Sequence, residues 1–231
     1  MFSNSKLTKR DKITIISLIA VLVIAVSVIV GLVAAKYVTQ VHLDGSIKVS
    51  AELASSIEVY EHKAGRTDDG DYTLDDNTEV TTNDYTLMPG VDVPKDPAVR
   101  IKDYTGIDAW VYVEVIETNF PTETTVGGER YIDYKIKTGW TALTKTNEQN
   151  EEVQVTGPNH GAIYYKKITA DDLPTGENAK PDVVLQILDP EIIKVSQWIE
   201  RETDDVKLQF TAYIIQKTSD DPAEDYAKLG L

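Results

Sequence analysis

From Ile47 to Val59, the apolar residues Ile47, Val49, Ala51, Leu53, Ile57 and Val59 all fall on odd positions. Lys48, Ser50, Glu52, Ser56 and Glu58 fill the even ones. Successive side chains of a strand point to opposite faces, so this pattern predicts one long half-buried strand, or two strands broken near Ser55. Val206, Leu208, Phe210, Ala212 and Ile214 alternate in the same way with Lys207, Gln209, Thr211 and Tyr213. Ile132, Tyr134 and Ile136 predict a further strand. Residues 110–116 and 183–188 are apolar on both faces, which predicts central strands covered from both sides. Residues 99–101 and 162–165 are shorter strand candidates. Turn signals separate these segments: Pro89-Gly90, Gly127-Gly128, Gly157-Pro158 and Pro174-Thr175-Gly176. Many short strands between such turns predict an all-β chain, folded as a β-sandwich or jelly roll. No helix-period segment is long enough for βαβ units.

The C-terminus is the exception. Asp221 can cap a helix, Pro222 suits its first turn, and Glu224 can reach back as in a capping box. Ala223, Tyr226 and Ala227 share a face and Gly230 can end the turn, so a short closing helix is predicted over 222–229. Residues 63–84, rich in Asp, Thr and Gly, and residues 144–159, rich in Asn, Glu and Gln, read as surface loops.

The N-terminus sets the compartment. Lys6, Lys9, Arg10 and Lys12 stand against Asp11 alone, and residues 13–35 then carry no charge. A basic flank before such a run predicts an export signal or a membrane anchor, with everything after Ala35 on the outer side. The run exceeds the roughly 7–15 apolar residues of a simple signal peptide and meets the about 20 needed to cross a bilayer. It ends in Leu32-Val33-Ala34-Ala35-Lys36, with the small side chains that a signal peptidase requires. Cleavage between Ala35 and Lys36 is therefore expected. Retention of residues 13–35 as an anchor is the alternative, and it is the chain's one expected route to a membrane.

Charge and composition narrow the function. Lys and Arg number 23 against 38 Asp and Glu, a net charge of −15. That sign opposes nucleic-acid phosphates and anionic membrane surfaces alike. With no cysteine, disulfide scaffolds, thiol nucleophiles and zinc–thiolate sites are excluded. His42, His62 and His160 have no histidine four residues on, and neither a nucleophile elbow nor a phosphate-binding loop is present. No catalytic residue is assigned and no enzyme is expected. Asp68, Asp69, Asp71, Asp75 and Asp76 could offer oxygens to calcium, but Gly70 comes too early for a helix–loop–helix calcium site, and a solvated acidic loop is the simpler reading.

Residues 87–99, Leu-Met-Pro-Gly-Val-Asp-Val-Pro-Lys-Asp-Pro-Ala-Val, are followed by Gly106-Ile107-Asp108-Ala109-Trp110-Val111-Tyr112-Val113. Near the end stand Phe210-Thr211-Ala212-Tyr213-Ile214-Ile215-Gln216 and the Asp221-Pro222-Ala223-Glu224 helix start. In this order, behind an export segment, the blocks resemble the TasA/camelysin family of exported bacterial fibre proteins, over roughly residues 36–231. The long apolar segment and Lys36-Tyr37 after the cleavage point depart from the family pattern. The resemblance implies a jelly-roll sandwich, secretion, and self-association into extracellular biofilm-matrix fibres. It implies that the N-terminal strand of one subunit completes the sheet of the next. Residues 36–45 are the candidate donor strand and residues 46–231 the sandwich domain. Tyr37, Thr39, Val41 and Leu43 would form one face of that strand, fixing its register. Pro89 and Gly90 are then a structural turn. Two other readings stay open: a membrane-anchored surface domain that binds a partner without polymerising, and a metalloprotease of the camelysin type.

Overall fold

In the computed structural model, residues 38–41, 47–48, 53–83, 85, 87–122, 124–125, 127–175, 181–199 and 206–231 are described. The strands are β1 Val38–Val41, β2 Ile47–Lys48, β3 Ser56–Arg66, β4 Tyr72–Val80, β5 Val93–Pro94, β6 Ala98–Lys102, β7 Ala109–Thr118 and β8 Ile132–Asp133. They continue as β9 Thr141–Ala142, β10 Thr144–Thr146, β11 Glu152–Gln154, β12 Ala162–Ile168, β13 Val183–Gln186, β14 Ile192–Val195 and β15 Lys207–Gln216, and helix α1, Pro222–Ala227, follows. Among the described residues the chain is all-β apart from α1 and one 3-10 turn at Ala170–Asp172. One five-stranded sheet has the order β1-β15-β7-β12-β9, and a second has the order β13-β6-β3-β2 with β4 also on β3. A three-stranded sheet, β5-β14-β8, and the hairpin β10-β11 complete the pairing.

The two large sheets share one core. Ile57, Val59, Val99 and Ile101 come from the second sheet, and Val111, Val113, Ala212 and Ile214 from the first. The opposite face of the first sheet is covered too: Trp110, Tyr112, Tyr213 and Ile215 pack with Leu229, Ala223 and Tyr226 around α1. This explains why β7 is apolar at successive positions. Asp221 starts α1 by accepting from Ala223 N at 2.8 Å, with Pro222 in the first turn. Glu224 does not complete a capping box; it accepts from Ser219 Oγ. Asp225, fully buried, ties the approach to the helix. It accepts from Thr218 N at 2.8 Å, Ser219 N at 2.9 Å and Lys228 Nζ at 2.6 Å. Burial works against its charge, but Lys228, Thr218 and Ser219 outweigh it and hold its pKa at about 2.

Several expectations are corrected. Residues 63–84 are not a loop: they hold the end of β3 and all of β4, which pair from Glu61↔Val80 to Arg66↔Tyr72. One face of β4, with Tyr72, Leu74, Thr78 and Val80, is half-buried and the other is exposed, and the polar run 75–79 obscures that alternation in the sequence. The 144–159 stretch contains the hairpin β10-β11. Residues 183–188 are not a central strand. β13 lies at a sheet edge, with Val183 and Leu185 buried and Val184 turned outward at 46% exposure. The 132–136 alternation yields only β8 plus an isolated bridge from Ile136 to Leu188. Of the two readings of the 47–59 alternation, the broken one holds: β2 and β3 are separate strands, and β2 pairs back on the start of β3. The closing helix ends at Ala227, and Gly230 turns away with φ of +68°.

Candidate functional site

β1 is antiparallel to β15, with Val38 opposite Ile215, Thr39 opposite Ile214, Gln40 opposite Tyr213 and Val41 opposite Ala212. Among the described residues it is the outermost strand of its sheet, and β15 is its one ladder partner. β7 pairs with β15 over its whole length, from Lys207↔Thr118 to Gln216↔Ala109. β1 covers only Ala212–Ile215 on the other side. Among the described residues, no strand pairs with the outer edge of residues 207–211. The donor candidates Thr39 and Val41 thus lie in β1, within their own chain. Tyr37, Leu43 and the cleavage pair Ala35 and Lys36 lie outside the described residues.

Beside the uncovered part of β15 is a cavity of about 390 Å³. Leu208 and Phe210 of β15, Val59 and Glu61 of β3, and Leu87, Lys95, Phe120 and Ile193 help to line it. Its size falls in the range of about 300–1,000 Å³ typical of ligand pockets. Its charged wall is paired: Lys95 Nζ lies 2.7 Å from Glu61 Oε2, both side chains buried. The same ammonium stands 5.6 Å from the Tyr85 ring centroid. Tyr85 donates to Pro94 O at 2.8 Å, and its burial pushes the hydroxyl pKa far above its ordinary value.

The neighbouring residues form a second pair. Asp96, buried, accepts from His62 N at 3.0 Å and meets His62 Nδ1 at 2.5 Å. That hydrogen bond raises the imidazole pKa above 6.5 against the opposing effect of burial, with the charges of Asp96, Asp76 and Glu79 adding to it. A raised folded pKa means that His62 contributes stability fully below about 6.5, its unfolded value. The contribution is lost as pH rises through the folded value. The urea midpoint is therefore expected to fall between pH 6 and the mildly alkaline range, and the fall to shrink in His62→Gln. Equal pH profiles for the two proteins would refute this assignment.

The remaining sequence candidates sit apart from the cavity's charged wall. Pro89 and Gly90 occupy a turn closed by Val91 N donating to Met88 O at 3.1 Å, and Gly90 N donates to Val195 O. Gly90 has φ of +77°, which a side chain would strain. Asp68 and Asp69 lie in the turn between β3 and β4, and Asp71 O accepts from Thr67 N. Asp75 accepts from Thr78 Oγ1 and Asn77 N, which hold its carboxyl below the usual range. Among the described residues no three or more His, Asp or Glu side chains come together as a metal site. No described helix is long and apolar enough to cross a membrane, and residues 13–35 lie outside those searched.

Neither the Lys95–Glu61 pair nor the His62–Asp96 pair is visible in the sequence, because their partners lie 34 residues apart. Glu114 was also missed. This residue of β7 is fully buried, and its carboxylate accepts from Asn159 N at 2.8 Å, Asn159 Nδ2 at 3.0 Å, Gly161 N at 2.9 Å and Tyr213 Oη at 2.8 Å. The available signal was a lone acid inside the otherwise apolar run 110–116. No protein-family model, curated protein or solved structure matches this chain.

Proposed function

We propose that this protein is a secreted structural subunit of extracellular biofilm-matrix fibres, of the TasA/camelysin type and jelly-roll topology. It polymerises head to tail when the N-terminal strand of one copy replaces that of the next. The observation that carries this reading is the position of β1: a four-residue strand at the start of the domain, at a sheet edge, held by a single ladder. Such a strand opens at low cost, because few main-chain bonds, each worth about 0.5–1.5 kcal/mol net, hold it. A copy supplied by a neighbour can restore the same pairing, and unlike surfaces joined head to tail give an open filament. Cleavage after Ala35 frees the strand to reach that neighbour. The pairing of β1 within its own chain favours a second reading, an anchored surface domain that stays monomeric.

Negative-stain electron microscopy of concentrated protein separates the two. Residues 36–231 are expected to form filaments, and residues 46–231, which lack β1, are expected to remain dispersed. Monomers from both would overturn the fibre assignment.

A further inference from the structure

We infer that the cavity between β15 and β3 binds a free apolar α-amino acid, and that the buried Glu61–Lys95 pair reads its charged head. The inference does not depend on how copies of the chain associate. The cavity, about 390 Å³, has two kinds of wall. Leu208 and Phe210 of β15, with Phe120 and Ile193, make the apolar one. Val59 and Glu61 of β3 also line it, and residues two apart in a strand share a face. The core-facing row of Ile57 and Val59 thus ends in a carboxylate only 3% exposed. Lys95, 7% exposed, stands against that carboxylate and lines the cavity too.

The pair does not use up its own hydrogen-bonding capacity. An ammonium carries three donors, and a carboxylate offers about four acceptor sites on its two oxygens. The two side chains make one hydrogen bond, from Lys95 Nζ to Glu61 Oε2 at 2.7 Å. The Tyr85 ring, its centroid 5.6 Å from Nζ, takes a second side of the ammonium. Among the described residues Oε1 and the remaining ammonium protons have no partner. Buried charges with capacity left over favour a ligand that supplies the missing bonds. Stability alone does not account for the pair, because two apolar side chains of the same volume are often as stable.

The pairing selects the ligand by charge. A simple anion drawn to Lys95 meets the Glu61 carboxylate beside it, and a simple cation drawn to Glu61 meets Lys95. A head with both signs on one carbon answers both: its carboxylate accepts from Lys95 Nζ and its ammonium donates to Glu61 Oε1. Such charge-assisted bonds are strong where water is scarce. The ligand's side chain then lies against Leu208, Phe210, Phe120 and Ile193. The readers are set before a ligand arrives, which lowers the ordering cost of binding. Glu61 is fixed in the β3–β4 ladder opposite Val80, and Lys95 N donates to Glu191 O at 2.9 Å. Tyr85, which positions the ammonium, is tied to Pro94 O at 2.8 Å.

Calorimetric titration of the full chain with L-phenylalanine tests the site. Hydrocinnamate lacks the ammonium, phenethylamine lacks the carboxylate, and glycine keeps both but has no apolar body. Saturable binding of L-phenylalanine is expected, with each of the three compounds weaker by about tenfold or more. The double variant Glu61→Leu with Lys95→Met, its fold checked by circular dichroism, is expected to lose that binding. The compound series is read on the unaltered protein and decides the matter even where the variant does not fold. No saturable binding of L-phenylalanine overturns the site. Equal affinity for hydrocinnamate or phenethylamine overturns the assignment of the head, and equal affinity for glycine overturns that of the apolar wall. Undiminished binding to a folded double variant overturns the role of the pair.

Discussion

Glu114→Ala is expected to lower the unfolding free energy by about 3–5 kcal/mol, at the upper end for a single substitution. Four donors lose their acceptor: two backbone N–H groups, the Asn159 amide and the Tyr213 hydroxyl. A buried donor left unsatisfied costs roughly 1–3 kcal/mol, and water entering the vacated space offsets part of the total. The carboxylate also holds the 157–161 loop, which closes on itself through Gly157 N to Gly161 O at 2.9 Å. The loop approaches so closely that a Cβ on Gly157 would sit 2.4 Å from the Glu114 carboxyl carbon. One on Gly161 would sit 2.6 Å from Val115 O. Gly161→Ala should therefore destabilise by a comparable route. Urea unfolding of Glu114→Ala checks the first claim, and a loss below about 1 kcal/mol, no more than one net hydrogen bond, contradicts it.

Lys95→Ala and Glu61→Ala are each expected to cost about 3–5 kcal/mol, because each leaves one buried charge without its partner. The joint replacement Glu61→Leu with Lys95→Met should restore most of the loss. Two apolar side chains of similar size remove both desolvation penalties at once, and such exchanges are often neutral. A double-mutant cycle measures the coupling. Additive losses would mean that the 2.7 Å contact carries no interaction energy.

Much of the strand content was legible because it follows from alternation. The 206–214 pattern became β15, and the doubly apolar 110–116 run became β7, its central neighbour. The run 183–188 was misplaced, because two-sided hydrophobicity reports burial and not position in a sheet. Val183 and Leu185 meet the core while Ile187 and Leu188 are buried beyond the strand, and β13 is still an edge. β4 was hidden because only Tyr72, Leu74 and Val80 mark its half-buried face, and the polar residues 75–79 interrupt them where the β3 ladder breaks its register. Of the strand at the sheet edge, Thr39 and Val41 were legible as alternating positions. The cavity was not, because it joins β15 to β3 and to segments around Leu87, Lys95, Phe120 and Ile193.

The sequence alone determined the all-β class, the helix start at Asp221 and Pro222, and an acidic, cysteine-free composition. These are local properties, set by side-chain periodicity, capping chemistry and charge. Only the tertiary structure decided which strands are edges, that β1 covers less than half of β15, and that Lys95, Asp96 and Glu114 are buried with partners. Those features depend on residues tens of positions apart. A charged residue in sequence is equally compatible with water or with a matched partner, and the fold supplies the partner.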